Sequence, residues 1–263
     1  PPPPPPPPPR HGVRRQRQMC KRDSDMAGMA DIIACSVTTP KNVEDIVLGE
    51  HGLIAADRLE GKVFVDHSTT PINLTTELGE RLKGASGMAF VDAPVSGGPA
   101  AAEAGTLAIM AGGDSSAIET VRPVMEKLGT FTHMGAPGAG QATKLINQTL
   151  VLTNYCVMAE ALKIAEAYGV DAARVPQALA SGHAGSNLLP VLFERMIAGD
   201  WTPKGYARQV LKDLEMLNDA AHEKGVAMPM SAQALTLFRM LNAQGMSELD
   251  GAAVFELLGR KTD

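Results

Sequence analysis

The sequence predicts an α/β half followed by an all-α half. Three observations carry this reading. Short apolar runs bounded by Gly and Pro alternate with helical stretches up to about residue 135. From Gln141 to Tyr168 there is no Gly or Pro, enough for one helix ~42 Å long at 1.5 Å per residue. Beyond that helix, only helical patterns follow.

Asp31-Ile32-Ile33-Ala34-Cys35-Ser36-Val37 reads as a short buried strand, broken by Thr38 to Pro40. Asn42 to Leu48 then reads as a short helix ending at Gly49. Lys62 to Asp66 is a second strand. Pro71 suits a first helical turn and opens a helix over 72–83. Met88 to Ala93 and Leu107 to Gly112 are further strands, Ser115 to Leu128 is helical, and Thr130 to Met134 is a last strand. Such alternation implies a mostly parallel sheet covered on both faces. The long helix carries Leu145, Ile146, Leu150 to Leu152, Val157, Met158 and Leu162, apolar on nearly every side, so it must be buried between domains or subunits. Helices follow over about 171–180, 186–197, 205–224, 229–243 and 250–258.

Composition narrows the function classes. The chain has 263 residues, 44% hydrophobic and 20% charged, enough for one large or two modest cores. A net charge of -5 and 4% aromatics speak against nucleic acid as a partner. Cys20, Cys35 and Cys156 have neither metal nor redox spacing. No apolar run reaches the ~18 residues of a membrane span. Pro1 to Pro9, followed by Arg10, Arg14, Arg15, Arg17, Lys21 and Arg22, makes residues 1–30 a disordered Pro/Arg-rich tail; a targeting leader and a partner-binding segment are the alternatives. The expected compartment is the cytoplasm, or the mitochondrion if the Arg-rich stretch is a leader.

Three segments could carry chemistry. Asp92-Ala93-Pro94-Val95-Ser96-Gly97-Gly98 ends a strand, where open α/β sheets bind ligands. Ser96 offers a hydroxyl, and Gly97 and Gly98 let backbone amides approach an anion such as a carboxylate; a tight turn would also need those glycines. Gly138 to Asn147 opens the long helix and puts Lys144 and Asn147, three residues apart, on one face. Burial and the helix dipole would both lower the pKa of Lys144, fitting it to exchange a proton with an alcohol or carbonyl. A lysine snorkelling from a solvated face has the same spacing. Lys212-Asp213-Leu214 could present Lys212 to a nicotinamide or phosphate, or could be a surface charge pair. Asp66-His67-Ser68 looks like a triad, but consecutive strand residues point to opposite faces and cannot form a relay.

Together, Asp92 to Gly98 continued by Glu103 to Leu107, Gly138 to Asn147, and Lys212 to Leu214 resemble the β-hydroxyacid dehydrogenase family from about Asp31 to Leu258. The resemblance implies a partial Rossmann-like parallel sheet followed by a helical domain, the former over 31–135 and the latter over 136–263. It implies hydride transfer between NAD or NADP and a small β-hydroxyacid or its semialdehyde. Lys144 is then general acid and base, with Asn147 beside it, and Ser96, Gly97 and Gly98 hold the substrate carboxylate. Ser36, Val37, Thr69 and Lys212 contact the cofactor. Family members pair through the helical domain, so a homodimer or higher homo-oligomer is expected, with no nucleic acid, membrane or metal.

The family opens with a strand, Gly-x-Gly-x-x-Gly and a helix, and no such glycine spacing occurs in this sequence. The dinucleotide-binding domain is therefore expected to be incomplete, short by on the order of 60 residues at ~30 per βαβ unit. The alternative function is a cofactor-deficient, non-catalytic fragment acting only as a dimerising helical module.

Overall fold

The computed structural model describes residues 23–56 and 59–259; the proline tract and the arginine cluster lie outside them. The ordered chain starts earlier than the sequence suggests. Asp23–Ala27 is a short helix, α1, and Ala27 is fully buried, so the expected 1–30 tail does not reach residue 30. There follow β1 (Ile32–Cys35), α2 (Pro40–Leu48), β2 (Val63–Asp66), α3 (Ile72–Ser86), β3 (Ala89–Asp92), β4 (Val95–Ser96), α4 (Gly98–Ala104), β5 (Leu107–Gly112), α5 (Ser115–Met125) and β6 (Gly129–Gly135). The helical half contains α6 (Ala139–Ala167), α7 (Val175–Leu179), α8 (Leu188–Ala198), α9 (Ala207–Glu223), α10 (Pro229–Ala243) and a 3₁₀ segment over Gly251–Leu258.

Local chemistry accounts for the boundaries. Thr39 caps α2 by accepting the Asn42 N–H at 3.3 Å, and Pro40 has no N–H to lose in the first turn. Gly87 ends α3 in the left-handed region at φ 71°.

The sheet runs β1-β2-β3-β5-β4, with β6 on the free side of β5. β1, β2 and β3 are parallel, and so are β5 and β6, but β5 runs antiparallel to β3 and β4. The sheet is thus less uniform than the strand-helix alternation implies, because the 93–106 connection is a short turn of β4 and α4 and not a helical crossover. Every residue of β2 is buried, as a strand covered on both faces requires. Phe64 and Phe90 pack edge to face, 5.3 Å between centroids, under Val43, Val47, Leu78 and Leu82. Val63, Val65 and Val91 meet Ile118, Val121 and Met125 of α5 on the other face.

α6 joins the two halves. Its head lies on the sheet, and Leu152, Cys156, Ala159 and Leu162 enter the helical core with Leu192, Phe193, Leu214 and Phe238. It is not buried all round: Ile146, Leu150, Val157 and Ile164 are exposed. No described helix is long and apolar enough to cross a membrane.

The loop entering α9 is held by a buried ion pair. Arg195 Nη1 donates to Asp250 Oδ2 at 3.2 Å, and the same carboxylate accepts the N–H groups of Lys204, Gly205 and Ala252. Removing one partner leaves the other charge buried and uncompensated. Arg195→Met should therefore lower unfolding free energy by about 3 kcal/mol in urea titrations. A change no larger than that of a surface substitution would show that the pair is dispensable.

Candidate active site

The carboxyl ends of β1, β2 and β3 meet the head of α6, where a doubly wound sheet places its ligands. Two aspartates in register, Asp66 and Asp92, organise this edge, and both are fully buried. Asp66 Oδ1 accepts the Ser68 N–H at 2.8 Å and the Cys35 thiol at 3.3 Å, and Oδ2 accepts the Thr70 hydroxyl at 3.0 Å. Ser68 Oγ accepts the Val37 N–H at 2.9 Å. The loops holding Ser36-Val37 and Thr69 are thereby tied together. Ser36 is exposed, and Val37 and Thr69 are half-buried. His67 Nδ1 lies 2.7 Å from Ala93 O, so Asp66, His67 and Ser68 form no relay.

Asp92 anchors the long helix. Its Oδ1 accepts the Gly138 N–H and its Oδ2 the Gln141 N–H, both at 2.8 Å. A Cβ on Gly140 would stand 2.5 Å from Asp92 O, so only glycine lets the helix come this close to the sheet. Gly140 thus serves helix-on-sheet packing, and Gly138, at φ 90°, serves the left-handed turn that opens the helix. Burial pushes the Asp92 carboxyl up to about 6, against the pull of the two amides.

Lys144 is 8% exposed, and its Nζ donates to Val95 O at 2.7 Å. Burial lowers its pKa, Asp213 nearby raises it, and Lys212 lowers it again. The helix dipole expected to assist is opposed by the Asp92 carboxylate on the helix head, which leaves burial as the dominant cause. The bond to Val95 places the amine one peptide from Ser96, so the Ser-Gly-Gly turn and the lysine helix do come together. Ser96 is half-buried at the end of β4, paired with Ala108. Gly97 and Gly98 are exposed at φ 127° and 68°, values other residues rarely adopt.

Lys212 and Asp213 are drawn into this cluster from α9. Lys212 Nζ lies 3.1 Å from Asp213 Oδ1 and 3.5 Å from Thr69 O, so the pair spans from the helical half to the loop after β2. Asp213 Oδ2 accepts a short 2.5 Å bond from Gln148 Nε2, and Gln148 Oε1 accepts from Asn147 Nδ2 at 2.8 Å. Gln148, one turn beyond Lys144 and buried, is a group sequence reasoning missed. Its i, i+4 spacing from Lys144 was the available signal. Asn147 is half-buried and reaches Asp213 through Gln148. Gly185 and Ser186 line a separate groove of about 930 Å³ between α7 and α8.

Among the described residues three buried side-chain atoms lack hydrogen-bond partners: Thr75 Oγ1 in α3, His67 Nε2, and Asp213 Oδ1, which sits at ion-pair distance from Lys212 without hydrogen-bond geometry. Open valences beside Thr69 and Lys212 suit the polar nicotinamide end of a dinucleotide. The sequence has no Gly-x-Gly-x-x-Gly turn to offer the pyrophosphate. A buried amine beside a serine-glycine turn, at the carboxyl edge of such a sheet, suits a nicotinamide-dependent oxidoreductase. The comparisons agree. Residues 10–135 match the family model described as the NAD binding domain of 6-phosphogluconate dehydrogenase. Residues 138–258 match that of the NAD-binding of NADP-dependent 3-hydroxyisobutyrate dehydrogenase. The chain is 38% identical to 2-hydroxy-3-oxopropionate reductase of Escherichia coli K12, covering 87% of this chain and 78% of that one. It is 34% identical to a probable mitochondrial 3-hydroxyisobutyrate dehydrogenase-like protein of Arabidopsis thaliana, over 90% of this chain and 72% of the relative. The structure of Mycobacterium tuberculosis 3-hydroxyisobutyrate dehydrogenase with L-serine superposes with TM-score 0.77 and 28% identity, covering 90% of this chain and 82% of that one. This chain belongs to the β-hydroxyacid dehydrogenase family, whose members are NAD(P)-dependent dehydrogenases and reductases.

Asp92 gives a pH signature. The unfolded chain keeps this proton only up to the ordinary value of 3.8, the folded chain up to about 6. Folding therefore gains from the proton at acid pH and loses that gain, on the order of 3 kcal/mol, as pH rises from about 4 to about 6. Relative to Asp92→Asn, the parent should lose unfolding free energy across that interval and level off above it. A difference between the two proteins that stays constant with pH would contradict this assignment.

Proposed function

We propose that this chain transfers a hydride between NAD(P) and a small β-hydroxyacid or its semialdehyde, with Lys144 exchanging the proton. The observation that carries this is the buried Lys144 amine, 2.7 Å from Val95 O and adjacent to Ser96-Gly97-Gly98. The nicotinamide, when bound, supplies or accepts the hydride at C4. Lys144 Nζ gives its proton to the carbonyl oxygen during reduction and takes the hydroxyl proton during oxidation. Ser96 and the amides of Gly97 and Gly98 hold the carboxylate. Ser36, Val37 and Thr69 line the cofactor edge, and Lys212 reaches Thr69 from α9. Gln148 and Asn147 hold Asp213, whose charge offsets that of the two lysines.

The names of the relatives support a substrate class. 2-Hydroxy-3-oxopropionate, 3-hydroxyisobutyrate and L-serine all carry their reacting oxygen on the carbon β to a carboxylate. A turn that holds the carboxylate and an amine one peptide away match that spacing. The non-catalytic module is not favoured, since Lys144, Lys212 and Asp213 are drawn together at burial cost that a mere scaffold has no reason to bear.

We also propose that the chain is a homodimer through α6. Ile146, Leu150, Val157 and Ile164, up to 63% exposed, lie within ~40° of one another around the helix. Their stripe runs nearly 30 Å, too long for a small ligand and suited to a second copy across a twofold axis. Ile164→Asp should convert the assembly to monomers in light scattering; an unchanged mass would remove α6 from the interface.

Lys144→Met should lower kcat by at least about a hundredfold with the circular dichroism spectrum intact. Lys144→Arg should not restore it, because a guanidinium does not release its proton at working pH. Turnover within a few-fold of the parent in either variant would exclude the proton-transfer role. Because burial lowers the Lys144 pKa, carbonyl reduction should decline with rising pH at values below 10.5, with alcohol oxidation rising over the same interval. Rate profiles without those opposed limbs would assign the proton to another group.

A further inference from the structure

Gln141 is 1% exposed and sits in the first turn of α6, three residues before Lys144. Its backbone N–H is fixed by Asp92 Oδ2 at 2.8 Å. Its side chain reaches across to the other loop. Oε1 accepts the Thr70 N–H at 3.1 Å, and Nε2 donates to Ser68 O at 2.9 Å. These two backbone groups flank Thr69. One carboxamide thus clasps both peptides around the cofactor-edge threonine and ties them to the helix that carries the lysine.

We propose that Gln141 is a positioning residue, setting the spacing between the Thr69 edge and the Lys144 amine. This rests on the reading of Thr69 and Lys144 given above. Reduction of a carbonyl delivers hydride to carbon and a proton to the oxygen bonded to it. The surface that presents the nicotinamide and the amine that gives the proton must therefore keep a fixed separation, and a shift of ~1 Å can cost about a hundredfold. A carboxamide is suited to this task because it carries one donor and one acceptor, so the two bonds fix orientation as well as distance. The Ser96 turn hangs on β4 and receives no bond from Gln141, so substrate binding lies outside its reach.

Gln141→Met keeps the length of the side chain and removes both bonds. The dissociation constants of NADH and NADPH, read by fluorescence titration, should rise about tenfold. kcat with 2-hydroxy-3-oxopropionate or 3-hydroxyisobutyrate should fall by a similar factor or more, while substrate KM stays close to that of the parent. A purely structural residue would reduce the active fraction and leave the cofactor constant of the folded fraction unchanged, which would count against the role. Gln141→Glu serves if the Met variant does not fold. A protonated carboxyl reproduces the donor and the acceptor, whereas an ionised one loses the donor to Ser68 O. The ionisable groups of this network are Asp66 with Cys35, Asp92, Lys144 and Lys212, so the parent is titrated over the same pH range. The ratio of the variant's cofactor constant to the parent's should start near one at acid pH and climb as pH rises. Parent-like constants in folded Gln141→Met, or a ratio flat with pH in Gln141→Glu, overturn the proposal. Lys144→Met is measured in parallel. If it retains turnover, or if the parent binds neither NADH nor NADPH, the underlying reading fails. An inactive Lys144→Met beside a parent-like Gln141→Met refutes the role of Gln141 alone.

Discussion

The site depends on one carboxylate at one helix end. Asp92 ends a parallel strand in full burial and accepts the first free amides of α6 from Gly138 and Gln141. A helix head carries unpaired N–H groups and partial positive charge, and a carboxylate there satisfies both. The helix comes so near that its neighbours must be glycine: a Cβ at Gly112 would stand 2.6 Å from Asp92 Oδ1. Lys144 lies a turn and a half further along this rigid element. Its reach to Val95 O follows from where the helix begins.

Two cationic groups and one anionic group then share a partly buried space. Lys144 and Lys212 repel, and Asp213 lies between them in the electrostatic balance, held by Gln148. Without Asp213 the two ammonium groups would face each other uncompensated. With it, two opposed influences act on Lys144: burial lowers its proton affinity and the Asp213 charge raises it, the balance that the proposed proton exchange requires.

Much of this was legible in the sequence because it is written locally. The Ser96-Gly97-Gly98 turn, Lys144 near the start of a helix, and Lys212-Asp213 are short contiguous signals, and each lies at the assembled edge. What was hidden is long-range. Gln141 works through Ser68 and Thr70, more than seventy residues earlier in the chain, and Gln148 works through Asp213. The i, i+4 spacing marks Gln148 as a neighbour of Lys144, but nothing local names the distant partners of either amide. Strand direction was hidden too. Leu107 to Gly112 has the same apolar pattern whether it runs with or against β3, and the reversal follows from a connection too short for a crossover. α1 was missed because Asp23–Ala27 holds a single buried apolar residue, too little to show a period.

α6 belongs to two cores at once, its head clamped to the strands and its body packed among the other helices. Heat cannot dismantle one half without tearing out an element that the other half needs. The molecule should accordingly melt as a single cooperative unit, with one calorimetric peak, even though its chain reads as two separate architectures.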